Sequence, residues 1–315
     1  MVNGNATFTF YLLTIAILTS ILGGIIFPYI GIIFEPYVLI WLGLLLFFNL
    51  IRLETKDLLS TFTNPKNLII LSIVKLFVIP LTLYFILNYG IYPKPSTDTL
   101  LSIFLLSGIS TGLGSPFVAN FVGGKLPVIV GMIITTSFAV PFTMPLLIYV
   151  LFNNQISIPI NNMILLLSAA LFIPLAAVHI LKKYKPIIIK TVDKISIVFS
   201  IVFIFLMNFG VFSKYSHYFF VDPEFVLNNI IFAFLLFGVY GFIGYFVVRL
   251  MGLNKQERIS IFIAMTYVNN MLVVVFAQQF FNIQIAALSA FYNIPYCIGI
   301  LILKKAVTME IKTAN

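Results

Sequence analysis

Residues 108–120 read GISTGLGSPFVAN and interrupt an otherwise apolar part of the chain. The residues before them, TLLSIFLL (99–106), and those after them, VIVGMIITT (128–136), are almost entirely apolar. Glycine weakens a helix through its conformational freedom, and proline lacks the amide hydrogen that a helix interior requires. The stretch therefore predicts a helix that is broken within strongly hydrophobic surroundings.

The composition of the chain assigns those surroundings to a membrane. Of its 315 residues, 61% are hydrophobic and only 9% are charged. A water-soluble domain needs more charge on its surface, so the composition indicates an integral membrane protein. Its apolar runs are also too long for the alternating strands of a membrane barrel. We therefore expect an all-α membrane fold over a single membrane domain, residues 1–315.

Proline, glycine, asparagine and charged residues divide the chain into apolar segments of spanning length, about 20 residues each. Ten spans are predicted, at roughly 7–27, 36–52, 67–88, 99–122, 126–151, 162–181, 192–212, 225–250, 257–280 and 284–303.

The basic residues orient these spans. Of the 18 Lys and Arg residues, fifteen fall in segments on one side of the membrane, while Lys94 and Lys214 fall on the other and Lys75 lies within span three. Cytoplasmic loops carry an excess of Lys and Arg. We therefore expect a multi-pass protein of the plasma membrane with both termini cytoplasmic, and we assign the net charge of +9 to topology and not to nucleic-acid binding.

Ten spans divide into two halves of five, about 1–155 and 156–315. Because five is odd, a duplicated half enters the membrane with the opposite orientation, which gives an inverted repeat. LSIFL (101–105) in span four resembles ISIFI (259–263) in span nine. This alignment places Thr111-Gly112 opposite Asn269-Asn270, so both spans carry a polar interruption at the same depth. Paired interruptions of this kind point to the central site of a transporter.

Unwound backbone cannot face lipid, so the interruptions must be buried in protein or line a wet cavity. The polar or helix-breaking residues that we expect at this site are Thr111, Ser115, Pro116 and Asn120 in span four, Thr135 and Thr136 in span five, Tyr267, Asn269 and Asn270 in span nine, and Asn293 in span ten. Two simpler interpretations stay open: close helix packing through small residues, and side chains bonded to their own helix.

Lys75 is the charged residue placed deepest in a predicted span. It lies eight residues into span three, a depth of about 12 Å. A lysine facing lipid there would cost about 2.5–3.5 kcal/mol. All nine acidic residues map to loops or span ends, which leaves backbone carbonyls, helix ends and amides as its acceptors. We expect Lys75 to face the protein interior; the alternative is a lysine that snorkels to the membrane surface.

Three stretches resemble one known family: WLGLLLFFNLIRLETKDLLSTFTNPKNL (41–68), SIVKLFVIPLTLYFI (72–86) and GISTGLGSPFVANFVGGKLPVIVGMIITTSFAVPFTMPLL (108–147). They are similar to the bile acid:sodium symporter (BASS) family, within the bile-arsenite-auxin carrier superfamily. The resemblance implies ten helices in two inverted five-helix repeats. It also implies a panel of helices 1, 2, 6 and 7 and a core of helices 3–5 and 8–10, in which helices 4 and 9 are broken and cross.

The family's sodium ligands are largely replaced in this chain. Alignment with the family places Lys75, Ile129, Ile133, Ala264 and Val268 at its ligand positions. At a Ser-Asn pair of span four, Ser115 is retained and Pro116 replaces the amide. The resemblance thus implies that the Lys75 ammonium takes the role of a bound cation. We expect no cofactor, and sodium is disfavoured.

The leading hypothesis is a secondary transporter of a small organic anion that works by alternating access without sodium. One alternative is a sodium-coupled symporter of organic anions whose sodium ligands are displaced. Another is a membrane sensor or an embedded enzyme on the same scaffold. An enzyme would need acids, bases or metal ligands placed at depth, and a sensor would need an output domain. The expected partners are the anion and the lipid bilayer; the substrate and the oligomeric state are left open.

Overall fold

The computed structural model describes residues 4–51, 65–153 and 157–313. Within these ranges the chain forms helices and no β-strand, and its one isolated bridge joins Thr111 and Val268. Seven helices are long and apolar enough to cross a membrane, by length and composition. The all-α membrane prediction is confirmed. The ten-span count stays a prediction. Spans four and nine each consist of two helices that are too short to cross alone, and the apolar helix of span one, Tyr11–Ile26, also falls short of the required length.

The first half of the chain contains six helices of the main fold. They are α1 (Gly4–Ile26), α2 (Val38–Ile51), α3 (Pro65–Tyr89), α4 (Thr97–Ser107), α5 (Ser115–Val122) and α6 (Leu126–Phe152). A helical turn, Pro28–Gly31, and a 3-10 segment, Ile32–Tyr37, lead into α2. Within α3 the residues Val74–Val78 form a π-helical turn.

The second half contains seven. They are α7 (Ile160–Tyr184), α8 (Pro186–Tyr215), α9 (Pro223–Leu250), α10 (Lys255–Thr266), α11 (Asn270–Phe280), α12 (Ile283–Phe291) and α13 (Asn293–Thr313). A turn, Tyr218–Val221, precedes α9. Span ten, predicted as one helix, is interrupted at Tyr292 between α12 and α13.

The two broken pairs, α4–α5 and α10–α11, are fastened to each other at both ends. Near the start of α4, the Asp98 carboxylate accepts a hydrogen bond from Asn282 Nδ2 at 3.2 Å, in the turn after α11. Near the start of α10, the Glu257 carboxylate pairs with Lys125 Nζ at 3.0 Å, in the turn after α5. Each pair therefore begins against the turn that follows the other.

Helices α1, α2 and α8 form a second closely packed group, with α7 against α2. The Trp41 ring of α2 stacks on Phe203 of α8 at 5.7 Å between centroids. At the opposite end of α8, Lys214 forms an ion pair with Glu35 of the 3-10 segment. Gly210 permits this approach, because a Cβ there would lie 2.8 Å from the Glu35 backbone nitrogen.

Gly210→Ala is expected to destabilise this helix group. The new methyl group would meet backbone atoms of Phe34 and Glu35, and overpacking of this kind typically costs about 1–3 kcal/mol. Thermal unfolding of the purified protein in one detergent should give a lower midpoint than for the wild type. The control is Gly238→Ala in α9, where a Cβ meets nothing within 4 Å and helix propensity alone favours alanine by about 1 kcal/mol. Equal midpoints for the two variants would contradict the close approach.

Candidate functional site at the crossing of two broken helices

The breaks in the two helix pairs lie against each other. The segment after α4 and the segment after α10 form an antiparallel bridge at Thr111 and Val268. Gly112 N donates to the Tyr267 carbonyl at 2.7 Å, and Asn269 N donates to the Ser110 carbonyl at 2.9 Å. Because both bonds use main-chain atoms, backbone freed by one broken helix satisfies backbone freed by the other.

Pro116 was expected, together with the glycines, to break or loosen the helix of span four. It lies in the first turn of α5, directly after the break, where a proline is tolerated because the first amides have no intrahelical acceptor. The break is made by the segment from Gly108 to Gly114. Ser115, the first residue of α5, donates from its hydroxyl to the Gly112 carbonyl at 2.5 Å.

Lys75 meets the end of α10. Its side chain is buried, with 1% of its surface exposed. The ammonium donates to the carbonyl of Ala264 at 3.0 Å and to that of Met265 at 3.1 Å. The last four carbonyls of a helix lack intrahelical partners and carry partial negative charge, so a cation is favourable there. The snorkelling alternative is therefore excluded, and Lys75 caps a helix that ends inside the protein.

The remaining partners at the end of α10 come from two other parts of the fold. Thr111 donates from its hydroxyl to the Ala264 carbonyl at 2.9 Å. The Tyr292 hydroxyl, between α12 and α13, donates to the Thr266 carbonyl at 2.7 Å. Thr111 N in turn donates to the Thr136 hydroxyl of α6 at 3.0 Å. Hydrogen bonds thus join α3, α6 and α12 to the crossing.

A cavity lies between the crossing and the group α1, α2 and α8. Its walls come from α1, α2 and α8 on one side and from the segments around Gly112–Gly114 and Val268–Met271, with Asn293 and Tyr296 of α13, on the other. The volume of the cavity is about 60 Å³, which is room for about four ordered waters. No charged side chain belongs to its lining in the part of the chain that the structure describes.

Most of the predicted site residues lie either at the crossing or at the cavity. Lys75, Thr111, Ser115, Thr136 and the Tyr267 backbone hold the crossing, whereas Asn269, Asn270 and Asn293 line the cavity.

Two of the three cavity asparagines also donate hydrogen bonds to backbone carbonyls. Asn270 Nδ2 donates to the Ser289 carbonyl and Asn293 Nδ2 to the Ala290 carbonyl, each at 3.0 Å. Thr135 lies elsewhere, because its hydroxyl pairs with that of Ser72 at 2.8 Å and ties α6 to α3. Asn120 is in α5, and its side chain lies outside what the structure describes.

Two polar residues of the cavity lining were not predicted from the sequence. Tyr296 of α13 and Asn208 of α8 both line the cavity. Asn208 is a single amide in the apolar run FIFLMNFGVF (203–212). An isolated polar residue in a predicted span is itself a signal of function, and it could have identified Asn208.

The residues that the family resemblance aligns with sodium ligands do not fit a sodium ion. A hard cation is bound by oxygen ligands, and the side chains of Ile129, Ile133, Ala264 and Val268 provide none. The carbonyl of Ala264 is already engaged by the Lys75 ammonium and the Thr111 hydroxyl.

Gly112→Ala is expected to disrupt the crossing. A Cβ at Gly112 would lie 2.6 Å from the Val268 carbonyl oxygen and 2.8 Å from that of Tyr267, and neither backbone atom can withdraw without breaking the bridge. The variant should express poorly or unfold at a much lower temperature. Gly108→Ala is the matched control in the same break, since its Cβ would make only contacts of 3.4 Å or longer. A Gly112→Ala protein as stable as Gly108→Ala would refute the main-chain contact.

Comparison with known families agrees with this geometry. The model of the Sodium Bile acid symporter family matches residues 39–221, which include α2 to α8 and so Lys75 and the first arm of the crossing. The second arm, α10–α11, lies outside the matched residues. A search of curated proteins gives no significant match. The family match covers more than half of the chain, and the chain therefore belongs to the sodium bile acid symporter family, a family of membrane transporters.

Proposed function

We propose that this chain is a secondary transporter of a small organic anion that works by alternating access and does not use sodium. Family membership supports a transporter of the bile acid symporter type and not an enzyme or a sensor. We place it in the plasma membrane with both termini cytoplasmic, because this orientation puts fifteen of its 18 basic residues on the cytoplasmic side.

The proposal includes ten spans in two inverted repeats, and three features support this architecture. Both broken pairs begin with a side-chain N-cap, Ser96 before α4 and Asn254 before α10. The first pair runs from Ser96 to Val122, where α5 ends, and the second from Asn254 to Phe280, where α11 ends; the two intervals have the same number of residues. The two main-chain bonds at the crossing are also reciprocal, as expected for two equivalent arms.

The cavity favours an anion. The first residues of α11, Asn270 and Met271, line it, and so does Gly114, the N-cap of α5. Helix N-termini carry partial positive charge, which favours carboxylates and phosphates. At the start of α5 the Ser115 and Phe117 amides are already bonded to backbone carbonyls, so this end contributes partial charge and not free donors. No acidic side chain opposes such a group among the lining residues that the structure describes.

The observation that carries sodium independence is the position of Lys75. Its ammonium lies on the Ala264 and Met265 carbonyls, and Ala264 aligns with one of the family's sodium ligands. A covalently held cation there stabilises the end of α10 as a bound ion would, but it does not dissociate. The crossing and its positive charge are then present without any dependence on the sodium gradient.

Two groups of helices provide the moving parts. The ion pair of Lys214 with Glu35 holds α8 to the segment before α2, and the crossing with the Lys125–Glu257 pair holds the broken helices together. The cavity lies between these groups. We propose that one group shifts against the other, so that the cavity opens in turn to each side of the membrane.

Uptake into proteoliposomes tests the sodium statement. A mixture of radiolabelled small carboxylates should enter protein-containing vesicles at the same rate with a sodium gradient and with an equal choline gradient. Protein-free vesicles are the control. Uptake that requires sodium would refute the sodium-independent mechanism and favour the symporter with displaced ligands.

Lys75→Gln tests the role of the fixed cation. Glutamine keeps a donor but removes the charge and is too short to reach both carbonyls, so transport should fall at least tenfold, which corresponds to about 1.4 kcal/mol. Lys182→Gln is the matched control, because Lys182 also donates to a helix-end carbonyl, that of Leu50 at 3.2 Å, but is only partly buried. It should transport at nearly the wild-type rate. Full transport by Lys75→Gln would remove Lys75 from the mechanism.

A further inference from the structure

The two walls of the cavity differ in hydrogen-bonding chemistry. On the crossing side lie the N-terminal ends of α5 and α11 and the Asn269 side chain, which makes no hydrogen bond to the described residues. On the opposite side the walls of α1 and α2 consist of leucine and isoleucine, and α8 contributes Asn208 beside Ile204 and Met207. One wall thus carries the partial positive charge of two helix N-termini, and the other is apolar except for one amide.

The Asn208 amide has one bonded end and one unbonded end. Its side chain is buried, with 1% of its surface exposed. Nδ2 donates to the Ile204 carbonyl of its own helix at 2.9 Å. Oδ1 has no hydrogen-bond partner among the described residues. Interchanging the two ends would place an oxygen against the Ile204 carbonyl, so the nitrogen bond fixes the unbonded atom as the oxygen.

A buried acceptor without a partner is unfavourable in the folded protein. Asn208 lines the cavity, so a molecule bound there can supply a donor. A ligand that brings a hydroxyl to this wall recovers the missing hydrogen bond, whereas a ligand that brings a carbonyl or carboxylate oxygen places two acceptors together. The charged end of an anion is therefore directed to the α5 and α11 ends, away from Asn208.

We propose that Asn208 Oδ1 accepts a hydrogen bond from a hydroxyl group of the transported anion, so that the preferred substrates are hydroxycarboxylates. Asn208 is then a specificity-determining residue on the α8 wall of the cavity. This proposal rests on the proposed function, because it assigns a substrate class to the same transport site. It requires that selection among anions depends on a donor and not on size or charge alone.

The test uses sets of carboxylates that share a carbon skeleton. For skeletons of three to six carbons, the unsubstituted acid, the 2-oxo acid and the 2-, 3- and 4-hydroxy acids, as the skeleton allows, are titrated into the full-length protein in lipid nanodiscs. Thermal stabilisation and competition for uptake give the affinities. For at least one skeleton a hydroxy acid should bind about tenfold more tightly than both other forms, as expected for one recovered hydrogen bond.

Two leucine variants locate this selectivity. Asn208→Leu should reduce the ratio of affinities to about one. Its unfolding midpoint without ligand should be equal to that of the wild type or higher, because an unpaired acceptor has been removed. Asn49→Leu in α2 is the control: Asn49 is a partly buried amide of the same helix group that does not line the cavity, and its loss should leave the ratio unchanged.

The possible failures are distinguishable. If unsubstituted and 2-oxo acids bind as tightly as every hydroxy acid, or if Asn208→Leu keeps the discrimination, the role of Asn208 is overturned and anion transport stands. A large drop in the unfolding midpoint of Asn208→Leu would likewise assign Asn208 to structure alone. If no carboxylate binds but other anions are transported, the substrate class is wrong. If no anion binds or is transported, the proposed function falls as well.

Discussion

The carbonyl groups at the end of α10 impose the constraint on which the rest of the site depends. A helix that ends inside a membrane protein leaves its last carbonyls without partners, and the surrounding lipid has no donors to offer them. Here the Lys75 ammonium and the hydroxyls of Thr111 and Tyr292 satisfy them. These donors come from α3, from the other broken pair and from the turn before α13. Ending one helix early therefore fixes the positions of three other parts of the fold.

Once α10 ends there, the geometry of the cavity follows. The segment that leaves α10 runs against the segment that leaves α4, and α5 and α11 then restart with their N-terminal residues at the cavity. The C-terminal end of α10, which carries partial negative charge, thus meets Lys75. The N-terminal ends of α5 and α11, which carry partial positive charge, lie at the cavity. This separation of partial charges places the protein's own cation away from the cavity and leaves the space lined by neutral side chains and helix N-termini.

The sequence predicted the elements of this arrangement better than their contacts. Glycines and polar residues at matched depths predicted both interruptions, because broken helices need residues of low helix propensity. The depth of Lys75 predicted its burial, because charge facing lipid is expensive. Pro116 was expected to break or loosen the helix, and it lies at the start of α5, directly after the break. Asn208 was missed, because its significance depends on an unbonded oxygen that only the packing of α8 reveals. Thr135 and Thr136 are adjacent in sequence, and only their positions on α6 separate the residue that faces α3 from the one that contacts the crossing.

The bridge at Thr111 and Val268 is made by peptide groups, which every amino acid except proline supplies in full. Natural variation can therefore exchange most side chains around it without dismantling it, provided that Gly112 remains small. Main-chain atoms hold the two arms together, and side chains elsewhere contact a ligand. Such a division lets one inherited frame acquire new selectivity through a few positions on the facing helices, with the crossed backbone left as it was.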